Sequence, residues 1–275
     1  MTPKKHGKQE DQQLADQLLK AVEEHDVLVL EKLISDGVNF GHRFKYGLME
    51  NYTVLHIVVL YPWLTRNFTI HRWIRAIRVL LDSGADVNAR DSNGNTPLIT
   101  FAGTSDPELH DDLILVDELI KLLIHYGADI NAKNDEGLTA LHEATAGECY
   151  HITKTLLIYG ADVNATDNRG YTPLHVAIEH FPSSYDQFGF RTSTTRQTEL
   201  LITHGANVNA RDSEGQTPLH KAAILVSKSG WDNRGLALIT LIKAGADMSA
   251  KDTSGNTFID LVNDEIKKHI SDITL

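Results

Sequence analysis

The 275-residue chain is poor in the residue types from which many sites are made. Its single cysteine, Cys149, rules out an intramolecular disulfide and favours a reducing compartment. Lys and Arg number 26 against 37 Asp and Glu, a formal net charge of −11. That balance argues against general nucleic-acid or anionic-membrane binding, because phosphate recognition draws on an excess of cations. No apolar run has the length of a membrane helix, and the opening stretch MTPKKHGKQEDQQ has no hydrophobic signal core. Cytoplasmic residence is therefore expected, with a nuclear one as the variant. A Gly-rich phosphate loop, a nucleophile elbow and a His-Glu-x-x-His pair are all missing. The expectation is a protein that is not an enzyme, with no cofactor, no metal and no catalytic residue.

What is there is a recurring phrase. It reads GADVNARDSNGNTPL from Gly84, GADINAKNDEGLTALH from Gly127, GADVNATDNRGYTPLH from Gly160, GANVNARDSEGQTPLH from Gly205 and GADMSAKDTSGNTF from Gly245. The turn glycines Gly94, Gly137, Gly170, Gly215 and Gly255 are 43, 33, 45 and 40 residues apart, so one gap of 33 is the bare unit and the others are lengthened. A recurring period of this kind marks a solenoid.

Each part of the phrase has a physical task. In Thr172-Pro173-Leu174-His175 the threonine can cap a helix, and proline at the first helical position sets φ without losing a hydrogen bond. The run Leu156, Leu157, Ile158, Tyr159, Gly160 ends a second helix, with glycine in the left-handed position that a side chain would strain. Asp167-Asn168-Arg169-Gly170 has turn composition and is expected to project as a β-hairpin finger. One unit buries Leu141, Ala144, Ile152, Leu156 and Leu157 only against its neighbours. Asn51 stands where the second unit lacks the turn glycine, and Asn tolerates the left-handed conformation. The histidines His56, His142, His175 and His220 recur once per repeat and are expected to bond their own turn and the next. His25, His71, His110, His125 and His204 follow no metal-ligand spacing.

The T-P-L-H phrase and the unit of 33 residues resemble the ankyrin repeat, whose unit is a β-turn and two helices. The resemblance implies an all-α fold with β-hairpin fingers, an ankyrin-repeat α-solenoid with capping units at both ends. Residues 1–10 are expected to lack order, and 11–275 to form one array with units at 11–47, 48–90, 91–133, 134–166, 167–211, 212–251 and 252–275. That array leaves no room for an appended catalytic domain. It also implies a monomer whose partner is another protein, bound in a groove of finger tips and first helices. The finger positions here are Ser92, Asn93, Asn95, Asp135, Asn168 and Ser213, together with Glu136, Leu138, Arg169, Tyr171, Glu214 and Gln216. Tyr171 and Arg169 are the expected hot spots, since Tyr and Arg dominate interface scans.

The extra residues fall between the two helices of a unit, at about 62–71, 104–112, 181–193 and 226–233, and Pro62, Pro107 and Pro182 open three of them. Proline there is expected to stop the first helix. These segments carry Trp63, Phe68, Phe181, Tyr185, Phe188, Phe190 and Trp231, expected either to cover helix ends or to anchor a partner. Two charge blocks also stand out, Arg66, Arg72, Arg75 and Arg78 against Asp106, Glu108, Asp111, Asp112, Asp117 and Glu118. Residues 55–86 resemble the lengthened ankyrin units of the Fem family of ubiquitin-ligase substrate receptors. The leucine eight residues before Asn88, Asn131, Asn164 and Asn209 is similar to ankyrin sites modified by an asparaginyl hydroxylase, and the resemblance implies those four as hydroxylation positions. The expected function is a protein-interaction scaffold or adaptor. The alternatives are a ubiquitin-ligase substrate receptor and a secreted effector that inhibits a host protein.

Overall fold

Threonine followed by Pro97, Pro173 or Pro218 starts the first helix of a repeat, and a glycine with φ near +90° releases the chain after the second. The computed structural model describes residues 8–24, 26–46, 49–64, 70–104, 113–179, 193–230 and 233–274. It divides into two units, Met1–Asp135 and Glu136–Leu275.

The first unit holds α1 (Lys8–Glu23), α2 (Val27–Ser35), a hairpin of β1 (Phe44–Tyr46) and β2 (Met49–Tyr52), α3 (Val54–Leu64), α4 (Ile70–Asp82), α5 (Pro97–Ala102) and α6 (Leu113–His125). Helices α1, α3 and α5 stack as one layer and α2, α4 and α6 as the other. The second unit repeats the plan with α7 (Ala140–Ala146), α8 (Tyr150–Ile158), α9 (Pro173–Glu179), α10 (Ser193–Thr203), α11 (Pro218–Ser229) and α12 (Asn233–Lys243). There α7, α9 and α11 form the first layer, closed by a 3₁₀ turn at Phe258–Leu261, and α8, α10 and α12 form the second. A final helix, α13 (Asp264–Thr274), follows and leaves Lys268 exposed. Leu141, Ala144, Ile152, Leu156 and Leu157 are buried as the pattern requires.

Three boundaries differ from the sequence-based expectation. Helix α1 begins at Lys8, inside the stretch expected to lack order. Helix α11 runs to Ser229, into the segment expected to be connection. Helix α3 passes through Pro62 to Leu64 instead of stopping, which also places Trp63 on a helix. The reason for the last is four residues back and eleven ahead. Pro62 has no N–H for the Val58 carbonyl, and the buried Trp73 indole of α4 donates to that carbonyl at 2.6 Å. The acceptor that proline orphans is thereby satisfied, so the helix continues.

The fingers are closed by aspartate. Asp167 Oδ1 accepts from Arg169 N and Tyr171 N at 2.8 Å, while Asp167 N donates to Tyr171 O. Asp91, Asp212 and Asp252 repeat this clamp. Successive fingers of the second unit are sewn edge to edge by Asn168 N to Glu136 O, Ser213 N to Arg169 O and Thr253 N to Glu214 O. Gly137 is required twice over: its φ is +81°, and a Cβ there would meet Asn168 N at 2.8 Å. Regular strands, among the described residues, occur only at β1 and β2, where Asn51 takes φ +65° in place of the missing glycine.

Candidate interaction groove

The repeated histidines stand at the third position of the first helices and are fully spoken for. His175 is buried; its Nδ1 receives Thr172 N at 3.2 Å and lies 2.9 Å from the Thr172 hydroxyl, and its Nε2 lies 3.2 Å from Gln216 O. Because a carbonyl can only accept, Nε2 carries the proton, and Nδ1 is the acceptor facing the threonine. His56, His142 and His220 make the same pair of contacts to their own threonine and to Asn95 O, Tyr171 O and Asn256 O. Both ring nitrogens are thus used in structure. Burial pushes the pKa of His56 and His175 below the ordinary 6.5. In the last repeat Asp260 takes over the role, accepting from Thr257 N at 2.9 Å and the Thr257 hydroxyl at 2.7 Å.

The asparagines after the second helices bridge repeats. Asn164 Nδ2 donates to Gly205 O at 3.1 Å and its Oδ1 accepts from Asn207 N at 2.7 Å. Asn88 bridges to Gly127 O and Asp129 N, and Asn209 to Gly245 O and Asp247 N. Asn131 is exposed, with its backbone N bonded to Asp129. Cys149 caps the start of α8 and is buried, and burial pushes its thiol pKa up to about 12, with Glu148 adding to the shift.

A cleft of about 420 Å³ opens in the second unit between two fingers and two first helices. Glu136 and Leu138 come from one finger and Arg169 from the next; His142, Glu143 and Ala146 lie along α7, and Val176 and Glu179 along α9. Three expected groove residues, Glu136, Leu138 and Arg169, are therefore brought together. Tyr171, expected as an exposed hot spot, is a correction: only 7% of it is accessible. Its ring lies 4.2 Å from the Arg169 guanidinium, 4.6 Å from Lys221 Nζ and stacked 5.5 Å from His175. The finger clamp draws its backbone to Asp167 and turns the ring under Arg169. Lys221 also pairs with Asp212 at 2.9 Å; burial opposes its charge, yet the Tyr171 and Asp212 side chains outweigh burial and leave its pKa raised.

Glu214 and Gln216 belong to the following finger and are not part of the cleft lining. Glu143, Ala146, Val176 and Glu179 were missed from sequence, although two of them follow the Thr-x-Leu-His phrase directly and so recur at a fixed place. Of the aromatic segment residues, Phe68, Tyr185, Phe188, Phe190 and Trp231 lie outside the described residues, as do Phe181, Arg66, Asp106, Glu108, Asp111 and Asp112. Arg72, Arg75 and Arg78 are exposed on α4, and Arg75 lies 3.7 Å from Glu31. Among the described residues no group of three or more His, Cys, Asp or Glu is placed to hold a metal, and no helix is long and apolar enough to cross a membrane.

Comparison with known proteins agrees with this architecture. Family models described as ankyrin repeats match residues 68–114, 113–186 and 169–213. No curated protein matches the chain. Among solved structures, the ankyrin repeat domain of Bcl-3, described as a unique member of the IkappaB protein family, is 26% identical with a TM-score of 0.69. That match covers 94% of this chain and 97% of the other. As many as 559 solved chains match, so the likeness speaks for the fold and does not single out a partner. With its repeated helix pairs, aspartate-clamped fingers and threonine-histidine caps, and with these matches, the chain belongs to the ankyrin-repeat family.

Proposed function

We propose that this protein is a non-enzymatic interaction scaffold or adaptor that holds a protein partner along the groove face of its second unit. The observation that carries this is the cleft between Glu136 and Glu179, where an apolar floor of Leu138, Ala146 and Val176 is ringed by charged side chains. A pocket with an apolar base and a few polar groups is suited to an anchoring side chain. Ankyrin repeats are in general protein-interaction modules, which supports the same reading. Arg169 is set for this role, since Asp167 Oδ2 holds its Nε at 3.0 Å and little side-chain entropy remains to be lost on binding. The aromatic residues of the lengthened segments, Trp63, Phe68, Tyr185, Phe188, Phe190 and Trp231, extend the reading to a second surface. The protein acts as a monomer in the cytoplasm or nucleus, in keeping with its acidic charge and one buried thiol.

The test is affinity capture from the native cells with wild type and with Leu138→Arg, whose fold is first verified by circular dichroism. A set of proteins recovered by the wild type and lost by the variant is expected. Equal recovery of every protein would count against the groove.

A further inference from the structure

The chemistry of the cleft narrows the partner. We infer that it takes a lysine or arginine side chain from an extended segment of the partner protein. This deepens the proposed function and rests on it.

Three carboxylates, Glu136, Glu143 and Glu179, line the cleft against one cation, Arg169. The charge of that cation is already matched inside its own finger. Arg169 Nε sits 3.0 Å from Asp167 Oδ2, a carboxylate almost wholly buried, and its guanidinium covers the Tyr171 ring. The next cation along, Lys221, is likewise taken up by Asp212 at 2.9 Å. His142 adds no charge, because its Nδ1 accepts from Thr139 N at 3.2 Å while Nε2 donates to Tyr171 O at 3.0 Å. Glu179 lies 3.5 Å from the Tyr171 hydroxyl, a distance too long for a strong bond. The lining therefore has a net negative balance in a chain whose overall charge is −11.

An acidic or phosphorylated segment would meet these carboxylates and be repelled. A purely apolar one would leave them facing it without compensation. Lysine and arginine meet both demands: the aliphatic stem lies on Leu138, Ala146 and Val176, and the charged end reaches the carboxylates at the rim. A volume of about 420 Å³ holds one such side chain with part of a neighbouring apolar residue.

The test is selection of a random dodecapeptide phage library on the full chain, followed by fluorescence anisotropy with labelled synthetic copies of the enriched peptides. Peptides carrying Lys or Arg beside an apolar residue are expected. Their affinity should fall about two- to fivefold in Glu143→Gln and again in Glu179→Gln, as for exposed ion pairs, and should weaken in 0.5 M salt. Leu138→Arg should abolish it. Enriched peptides that are acidic or uncharged but still lost in Leu138→Arg would overturn the basic-side-chain inference and leave the groove standing. Peptides indifferent to Leu138→Arg, or no enrichment at all, would overturn both. Self-association in sedimentation that Leu138→Arg abolishes would assign the cleft to a second copy of the chain and overturn this inference.

Discussion

Replacing His175 by alanine tests whether the repeated histidine is a structural part. The ring is wholly buried, so its removal leaves a void that costs about 1–2 kcal/mol. Two contact sets go with it, Nε2 to Gln216 O at 3.2 Å and Nδ1 to Thr172 at 2.9–3.2 Å, each contributing about 1 kcal/mol net. The expected loss is therefore about 3–4 kcal/mol in urea unfolding followed by circular dichroism at pH 7.5. The control is His204→Ala, an exposed histidine bonded only at its helix end, with a loss below about 1 kcal/mol. The pH dependence follows from the lowered pKa of His175 and His56. A folded-state value below 6.5 means that the unfolded chain takes up protons first as pH falls. The stability is then complete above about pH 6.5 and drains away below it, and His175→Ala should flatten that limb. A loss no larger than that of His204→Ala would refute the reasoning, as would zinc stabilising the wild type and not the variant.

Tyr171→Ala should cost about 3–5 kcal/mol because the ring is core and lies against two cations, whereas Tyr171→Phe should be nearly neutral; differential scanning calorimetry of both variants checks this. Trp73→Phe should destabilise by about 1–3 kcal/mol by orphaning the Val58 carbonyl, and restoring an N–H with Pro62→Ala in the same chain should recover part of that in urea unfolding. Native Cys149 should resist a thiol reagent at pH 8 and react fully in denaturant, as absorbance of the released thiolate would report.

Much of the fold was legible because the repeat uses residues whose backbone chemistry is nearly unambiguous. Threonine before proline, glycine at the helix end and aspartate before the finger glycine each specify one conformation, and even Asn51 behaved as the glycine substitute its side chain suggests. The helix through Pro62 was not legible, since its carbonyl is rescued by an indole eleven residues later that no local rule connects. Tyr171 misled for a related reason. A residue just after the finger glycine looks exposed, but whether its ring points out depends on cations supplied by Arg169 and by Lys221, fifty residues further on. Glu143 and Glu179 read as ordinary polar positions on short helices, and only the stacking of α7 on α9 sets them around one cleft.

The most direct measurement is titration calorimetry of one purified, captured partner against the wild type, Leu138→Arg and a distant control, Leu28→Arg, which alters an exposed leucine on α2. Binding through the cleft requires a loss of about a hundredfold or more for Leu138→Arg, on the scale of a hot-spot residue, with Leu28→Arg unchanged. Equal affinities for the wild type and Leu138→Arg would contradict it.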